Sequence, residues 1–330
     1  MNSYSKLSYL DAVKRNRSTN EFKLFFYGLG INQKQKAISY LNEDRLYFSS
    51  LFILMPEIEK LSIYENLNQR NVIAIKFCAQ ILEDERLYTR VNPLVTENSS
   101  MVYSVLKWML KTGASEDGFS NEYDGVLDAA ASVLIKTYKD SSILPLVAEM
   151  IFKRNRKGAL VHDLVWCFFQ AHTPYCLTLI AGYLRSSNPQ DVELARTLLH
   201  FVPDESGEGA NLQKQYQNFL KWLRENKEYL YFTDENLQFT STPKHCRVDL
   251  DAKYLCKSVL SYDHSLQQPL TDDDKNRLQQ FHALRRADKK ILSKYSHRMH
   301  ERNSRFWSVW MQYPMEKQLE IAKAGLGGLQ

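Results

Sequence analysis

Apolar side chains recur at helical spacing through the first two thirds of the chain. Residues 71–86 and residues 124–138 both place them near i, i+3 and i+4 positions, the pattern that one buried face of an α-helix produces. The 330 residues include 12 glycines and 9 prolines, which is few for a chain built from many tight turns. The pattern therefore predicts long helices joined by few connections.

Two helix starts are visible in the middle of the chain. Thr173 precedes Pro174, and fifteen residues later Asn188 precedes Pro189, with Asp191 in the first turn. The Thr and Asn side chains can accept a hydrogen bond from an unpaired backbone N–H, and proline has no N–H to leave unpaired at the first position. The early carboxylate suits the helix dipole. The spacing predicts helices of about twelve residues that form antiparallel pairs.

Residues 188–201, which read NPQDVELARTLLHF, resemble the second helix of a HEAT-type repeat in their proline, their Asp-Val pair and their small-residue pattern. The resemblance extends over roughly residues 70–201. It implies an irregular α-solenoid, in which stacked helix pairs form a curve whose concave face binds another macromolecule. No constant period runs along the chain, so an irregular helical bundle is the alternative that the same pattern allows.

The character of the sequence changes near residue 227. Residues 227–249 are rich in aromatic residues and threonine and contain Pro243, which predicts an extended strap or a small hairpin. Helical patterns resume from Asp251. We therefore predict an all-α fold in two parts: a helical-repeat-like domain at residues 1–226, and a strap with a C-terminal helical subdomain at residues 227–330.

Composition adds an expectation about the compartment. The N-terminal residues show no apolar segment of the kind that a secretory signal needs, and the longest apolar run is Leu51–Met55, far below the roughly 20 residues of a membrane helix. The 5 cysteines are odd in number and scattered, which indicates free thiols in a reducing compartment. We expect a cytoplasmic protein without a membrane partner.

One stretch raises the question of a metal site. His162, Cys167, His172 and Cys176 lie within fifteen residues. Five residues rotate a helix by about 500°, so side chains at this spacing point about 140° apart and fail to converge on one ion. Apolar residues cover most of the circumference over residues 160–169, which predicts a core helix in which cysteine packs as a small hydrophobe. No metal and no cofactor are expected.

Two glycine stretches and a histidine pair have ordinary explanations. Residues 28–32 and 325–328 lack the strand and helix context of a nucleotide-binding loop and are predicted to be a turn and a frayed tail. His297 and His300 have cationic neighbours that would repel a metal ion, so they are predicted to be surface histidines.

A short acidic pattern near the start of the last helical region also has a competing explanation. Asp249, Asp251 and Lys253 resemble the spacing of metal-dependent nuclease sites, in which carboxylates hold Mg²⁺ and lysine contacts the phosphate. The same three residues arise by chance in most proteins, and a helix is predicted here where such sites use a sheet. No recognised catalytic motif is present, so no catalytic residue is assigned and an enzyme is not the favoured class.

A row of cations is the strongest feature of the sequence. The net charge is +5, yet residues 275–305 contain ten basic and two acidic residues, so the rest of the chain is slightly acidic. The row, which we call the basic ridge, repeats at i, i+4 and consists of Arg286, Lys290, Lys294, Arg298 and Arg302. A parallel apolar stripe consists of Leu284, Ala287, Ile291, Tyr295 and Met299. Together they predict one helix whose like charges cost about 1–2 kcal/mol of helix stability.

Three interpretations of the ridge stay open. It is a solvated face, or one neutralised by the acidic loops at residues 116–117 and 204–208; it docks onto an acidic protein; or it binds a nucleic-acid backbone. Trp307 and Trp310 follow the ridge and would pack with Tyr313 on one helical face, either in the core or as a protein contact.

The favoured hypothesis is a non-enzymatic interaction or assembly scaffold that uses a helical stack and the basic ridge to bind an acidic protein surface. A HEAT-like protein that contacts nucleic-acid phosphates through the ridge is the second hypothesis. An enzyme with a scattered active site is the third. The pattern does not indicate an oligomeric state.

Overall fold

The computed structural model describes residues 7–83, 99–200, 211–237 and 240–327. Over these residues the protein is all-α, with 17 α-helices and one two-stranded antiparallel sheet, so the predicted fold class is confirmed. No helix in the described part of the chain is long and apolar enough to cross a membrane. The finer expectation of an α-solenoid stays a prediction.

The contacts divide the chain into two compact units, Met1–Ala171 and His172–Gln330. The described helices of the first unit are α1 (Tyr9–Arg15), α2 (Thr19–Asn32), α3 (Lys34–Leu41), α4 (Phe48–Lys60), α5 (Gln69–Glu83), α6 (Ser99–Gly113), α7 (Asn121–Lys136), α8 (Leu144–Arg156) and α9 (His162–Phe169). Those of the second unit are α10 (Pro174–Gly182), α11 (Pro189–Leu199), α12 (Leu212–Asn226), α13 (Leu250–Leu255), α14 (Asp272–His282), α15 (Arg286–Arg302), α16 (Ser304–Trp310) and α17 (Met315–Gly327).

The predicted helix starts are confirmed at α10 and α11. The Thr173 side chain accepts a hydrogen bond from Tyr175 N, and the Asn188 side chain accepts one from Gln190 N. Each proline occupies the first helical position, where the missing N–H costs nothing. The periodic segments 71–86 and 124–138 likewise correspond to α5 and α7.

The segment after residue 226 forms the small hairpin that was one of two alternatives. Strand β1 (Leu230–Phe232) pairs antiparallel with β2 (Cys246–Val248). Leu230 and Phe232 are buried and Tyr231 between them is half-buried, as expected for alternating side chains. Helices resume with α13, as predicted.

The contact-based boundary differs from the predicted one at residues 226–227, which falls inside the second unit. Its cause is a set of contacts between the α10–α11 region and the hairpin segment. His172 Nε2 lies 2.6 Å from Asp234 Oδ1, and the His172 ring stacks on Phe232. His200 Nε2 lies 2.5 Å from the Pro243 carbonyl oxygen. Both histidines have a φ of 48°, in the left-handed region.

Aromatic packing and one buried ion network organise the first unit. The Phe48 ring stacks on Tyr123, whose hydroxyl donates to the Gly113 carbonyl at 3.0 Å. The acidic connector at residues 116–117 is partly buried: Asp117 is 3% exposed and lies 2.7 Å from Arg154 on α8. Arg154 also contacts Asp128 of α7 at 2.8 Å. This one guanidinium therefore joins α7, α8 and the connector.

The core-helix interpretation of residues 160–169 is confirmed for α9. Leu164, Cys167 and Phe168 are buried, and burial raises the pKa of the Cys167 thiol to about 12. His162 is exposed, and Trp166 is only half-buried. All five cysteines of the chain are free thiols.

The first glycine stretch lies in α2, so the predicted turn at residues 28–32 is wrong. Residue 328 of the second stretch lies outside the described residues. Gly28 and Gly30 lie inside α2, and Gly325 lies inside α17. A Cβ on Gly325 would lie 2.5 Å from Cε2 of Tyr295 on α15. The missing side chain lets the two helices approach closely, which was invisible in the sequence because the contact is long-range.

Aromatic side chains also fill the core of the second unit. Trp310 is fully buried, and its Nε1 donates to the Gln318 carbonyl at 3.4 Å. Trp307 is half-buried and donates to Ser296 Oγ at 2.8 Å. Trp310 therefore lies in the core of the second unit. A protein contact through Trp307 and Trp310 stays a prediction.

Arg154→Met should lower the free energy of unfolding by about 3–5 kcal/mol, because it leaves the Asp117 carboxylate buried without a partner. Urea unfolding followed by far-ultraviolet circular dichroism measures the change. Arg156→Met, an exposed position on the same helix, is the control and should change stability by less than about 0.5 kcal/mol. Equal effects of the two substitutions would contradict the role given to Arg154.

Gly325→Ala should destabilise the protein by about 1–3 kcal/mol, because the new methyl group meets the rigid Tyr295 ring. Gly28→Ala should instead be neutral or stabilise by up to about 1 kcal/mol, because a Cβ there meets no atom within 4 Å and alanine favours a helix. Thermal melts of both variants test the pair. The interpretation fails if Gly325→Ala stabilises the protein as much as Gly28→Ala does.

Candidate functional site

The second unit contains an open pocket of about 760 Å³. Its walls come from α12, the β1–β2 hairpin, α13 and α15. Six of its lining residues are basic, and we call it the basic pocket; they are Lys244, Arg247, Lys253, Arg286, Lys290 and Lys294. Glu225 is the one acidic residue in the lining. The lining therefore carries an excess of positive charge.

Helix α15 supplies one wall. Arg286, Lys290 and Lys294 follow each other at i, i+4, so they project from one face, and all three are exposed. Among the described residues, none of the three has an ion-pair partner. Of the carboxylates that the structure describes, Glu225 is the one in the pocket lining, and it feels the charge of Lys294.

The other two residues of the basic ridge have different surroundings. Arg298 lies 3.0 Å from Glu225 on α12. Burial alone would raise the pKa of Glu225, but the hydrogen bond and charge of Arg298 hold it below its ordinary value. Arg302 is exposed in the last turn of α15 and is not part of the pocket lining. The structure thus brings three of the five predicted residues into one site.

The apolar stripe next to the ridge is only partly as predicted. Tyr295 is buried, and Leu284, Ile291 and Met299 are half-buried, but Ala287 is exposed. The most deeply buried face of α15 instead carries Leu292 and Ser296, next to the predicted stripe. The reason is a polar contact that periodicity does not report: Ser296 Oγ donates to the Tyr254 carbonyl of α13 at 2.5 Å.

The connector predicted to neutralise the ridge has partners of its own. Glu116 lies 3.2 Å from Lys14, and Asp117 is held by Arg154, both within the first unit. The second predicted acidic loop, residues 204–208, lies outside the described residues.

The hairpin supplies the opposite wall with cations that the sequence did not connect to the ridge. Lys244 precedes β2, and Arg247 lies in β2 and forms an ion pair with Glu235. Arg247 is exposed, with half-buried residues on either side of it in the strand. These residues lie about forty positions before the ridge, so only the tertiary fold reveals that they share its pocket.

Lys253 contributes a buried charge to the pocket. Its side chain is packed under α12, where Nζ donates to the Glu225 carbonyl at 3.0 Å and to Asn226 Oδ1 at 2.6 Å. Both acceptors are uncharged, and no carboxylate among the described residues forms an ion pair with it. Burial lowers the pKa of Lys253 to about 8, although the charge of Glu225 opposes this shift.

The carboxylates of the nuclease-like pattern do not join Lys253. Asp249 caps α13 by accepting a hydrogen bond from Ala252 N at 2.9 Å, and it also contacts His264. Asp251 contacts His282. Across the described residues, no group of three or more His, Cys, Asp or Glu side chains is placed to hold a metal ion.

The histidine pair splits into one surface and one buried residue, so the surface prediction is wrong for His297. Its Nδ1 lies 3.2 Å from the Tyr229 hydroxyl, its Nε2 lies 3.5 Å from Glu301, and burial lowers its pKa. His300 is exposed, with its ring edge-on to Trp307. His297 is buried because α15 turns this residue toward the segment before β1.

The thiols of Cys246 and Cys256 lie outside the lining of the basic pocket. Burial raises the pKa of the Cys246 thiol to about 12 and that of Cys256 to about 11, so both stay protonated at neutral pH. Lys253 is the group in the lining whose charge can change in the neutral to mildly basic range. A scan against protein-family models, a search of curated proteins and a search of solved structures find no match to this chain.

The Lys253 amine should titrate with a midpoint near pH 8, against about 10.4 for an ordinary lysine, because burial penalises its charged form. Nuclear magnetic resonance of lysines labelled with ¹³C at Cε measures it, with Lys253→Met for assignment. Glu225→Gln should move the midpoint lower, since it removes the charge that favours the ammonium. Glu193→Gln, on exposed α11 surface, should leave it unchanged. A midpoint near 10.4 in the native chain would contradict this assignment.

Proposed function

We propose that this chain is a non-enzymatic binding module that docks onto an acidic surface of a protein partner through the basic pocket. One observation carries the proposal. Arg286, Lys290 and Lys294 have no ion-pair partners among the described residues. They line the same pocket as Lys244 and Lys253, which lie on its other walls. A row of cations that interacts only with solvent would not need further cations on the other walls of a pocket.

The energetics favour an external anion. Each like-charge pair along α15 costs a few tenths of a kcal/mol, and enclosing the cations in a concave site strengthens their repulsion because less water screens it. An acidic ligand removes this repulsion on binding. An acidic ligand also associates faster, because a pocket lined by one sign of charge attracts a partner of the opposite sign from a distance.

The aromatic residues of the lining favour a protein partner over a single-stranded nucleic acid. One face of the Tyr231 ring is covered by His264, with the ring centroids 3.5 Å apart. Stacking platforms for bases need free aromatic faces along a continuous groove. Trp222, which is 38% exposed on the pocket lining, supports nucleic acid as the second candidate.

The resemblance of residues 188–201 to a HEAT-type helix fits this proposal, because such repeats present extended surfaces to macromolecular partners. The stretch forms α11 with a buried Asp191 in its first turn. A helical scaffold that carries the basic pocket is therefore our proposal for the whole chain. The scattered-site enzyme is the third hypothesis, and the high pKa values of the thiols near the pocket speak against it.

A fluorescein-labelled glutamate-rich peptide should bind the chain with a micromolar dissociation constant at low salt and lose affinity as salt is added. The triple variant Arg286→Glu/Lys290→Glu/Lys294→Glu should weaken binding by about tenfold or more, since three favourable charge contacts become repulsive. Fluorescence anisotropy at several salt concentrations measures both effects. Duplex DNA and single-stranded RNA are titrated in parallel.

Lys34→Glu/Lys36→Glu/Lys76→Glu is the matched control, because it changes the net charge equally at exposed positions of the first unit. It should retain binding. If duplex DNA binds with a log–log salt slope near −3 and the peptide does not, the second candidate replaces the first. If neither ligand binds at low salt, or if the control loses binding equally, the proposal is wrong.

A further inference from the structure

The buried ammonium of Lys253 forms no ion pair with any residue that the structure describes. Its side chain is about as buried as a core residue, with 4% of its surface exposed, and its two hydrogen-bond acceptors are an amide oxygen and a backbone carbonyl. The nearby carboxylate of Glu225 is bound to Arg298. Buried charges in proteins are ordinarily paired, because desolvation without a partner is expensive. Two of the three N–H groups of the ammonium have acceptors among the described residues, and Lys253 lines the pocket.

We propose that the pocket binds a phosphomonoester carried by an extended acidic peptide, with Lys253 contacting the phosphate and Lys290 and Lys294 contacting acidic side chains next to it. This inference rests on the proposed function and specifies its ligand. The phosphorylated form of the acidic partner is then the form that binds tightly.

The number of cations favours a phosphomonoester over a single carboxylate as the ligand group beside Lys253. A carboxylate offers one charge, whereas a phosphomonoester carries nearly two at neutral pH and three acceptor oxygens. Lys253 lies in the lining with Arg286, Lys290 and Lys294, none of which forms an ion pair with a described residue. A ligand of high charge density suits this set, and charge-assisted hydrogen bonds from several donors suit a tetrahedral group.

The spacing along α15 favours an extended peptide. Residues four apart on a helix are about 6 Å apart along its axis. In an extended chain, side chains on one face recur every second residue, at about 6.6–6.8 Å. A peptide with acidic residues at alternate positions therefore matches Lys290 and Lys294 in step. Arg247 and the hairpin form another wall of the pocket.

Access to Lys253 favours a phosphate at the end of a side chain over one within a nucleic-acid backbone. An internal phosphodiester has one negative charge and is flanked by sugars on both sides. A buried ammonium is reached more readily by a terminal group on a flexible stem. A phosphate at the 5′ end of an oligonucleotide shares this chemistry and is one outcome of the test.

Lys253 also provides a signature in the pH dependence of binding. The groups that face it are Glu225 and Asn226 on α12, Tyr229 before β1, Cys256 after α13, and Lys294, His297 and Arg298 on α15. Between pH 7 and 9.5 the Tyr229 and Cys256 protons stay in place because burial raises both pKa values, and His297 is neutral because burial lowers its pKa. A phosphomonoester is already a dianion there.

The direction of the pH dependence of binding follows from these protonation states. Lys253 has a pKa of about 8 without ligand, and a bound dianion raises it. The phosphate-dependent part of the affinity is therefore complete below pH 8 and falls as the pH rises through the raised value. A ligand that does not touch Lys253 shows no such fall.

The experiment compares three fluorescein-labelled peptides of the form Glu-Gly-Glu-Gly-X-Gly-Glu-Gly-Glu, where X is phosphoserine, serine or glutamate. The full-length chain should bind the phosphoserine peptide at least about tenfold tighter than the serine peptide at pH 7.0, and the glutamate peptide should lie between them. In Lys253→Met the phosphoserine advantage should fall below about twofold. Lys34→Met is the matched control and should keep the full advantage.

Each outcome separates this inference from the proposed function. If all three peptides bind alike, or if the phosphoserine advantage survives in Lys253→Met, the phosphate site is wrong while acidic docking stands. If none binds, the proposed function is wrong as well. If a 5′-phosphorylated oligonucleotide binds in a Lys253-dependent way and the phosphopeptide does not, the peptide is the wrong ligand class. Should Lys253→Met fail to fold, the loss of the advantage between pH 7 and 9.5 in the native chain decides.

Discussion

Burial of one face of α15 is the interaction on which the second unit depends. Leu292 is fully buried, and Ser296 donates to the Tyr254 carbonyl while it accepts from Trp307 Nε1. Each fully buried large apolar side chain contributes about 1.5–3 kcal/mol, whereas each like-charge pair on the opposite face costs about 0.2–0.5 kcal/mol. The packing therefore outweighs the repulsion, and α15 holds its cations at fixed spacing without needing anions from its own chain.

Helix α13 connects the core to the pocket through Lys253. Helix α13 packs Tyr254 into the aromatic core and turns the preceding residue toward α12, where its ammonium meets Asn226. Lys253 makes this part of the pocket lining polar. Removing its charge from water lowers the stability of the fold. Arg298 and Glu225 form an ion pair beside it.

Local patterns predicted what local forces determine. Caps, prolines at the first helical position and apolar periodicity gave α10, α11 and the all-α class, because these signals arise within one or two turns of chain. They failed where a distant residue decides: Ala287 is exposed and His297 is buried because α15 is rotated by a polar contact with α13. Lys244, Arg247 and Lys253 could not be assigned to the ridge, since only the hairpin and α13 bring them to it.

The two histidines with left-handed backbone have a consequence for how the second unit is held together. His172 and His200 each adopt a φ of 48°, a conformation that costs a residue other than glycine roughly 1–2 kcal/mol, and each places its ring against the hairpin segment. Glycine at either position would relieve the backbone and remove the ring contact, so the two effects would largely cancel in a global melting curve. The attachment of the hairpin, and with it one wall of the pocket, can therefore loosen without any visible change in overall stability.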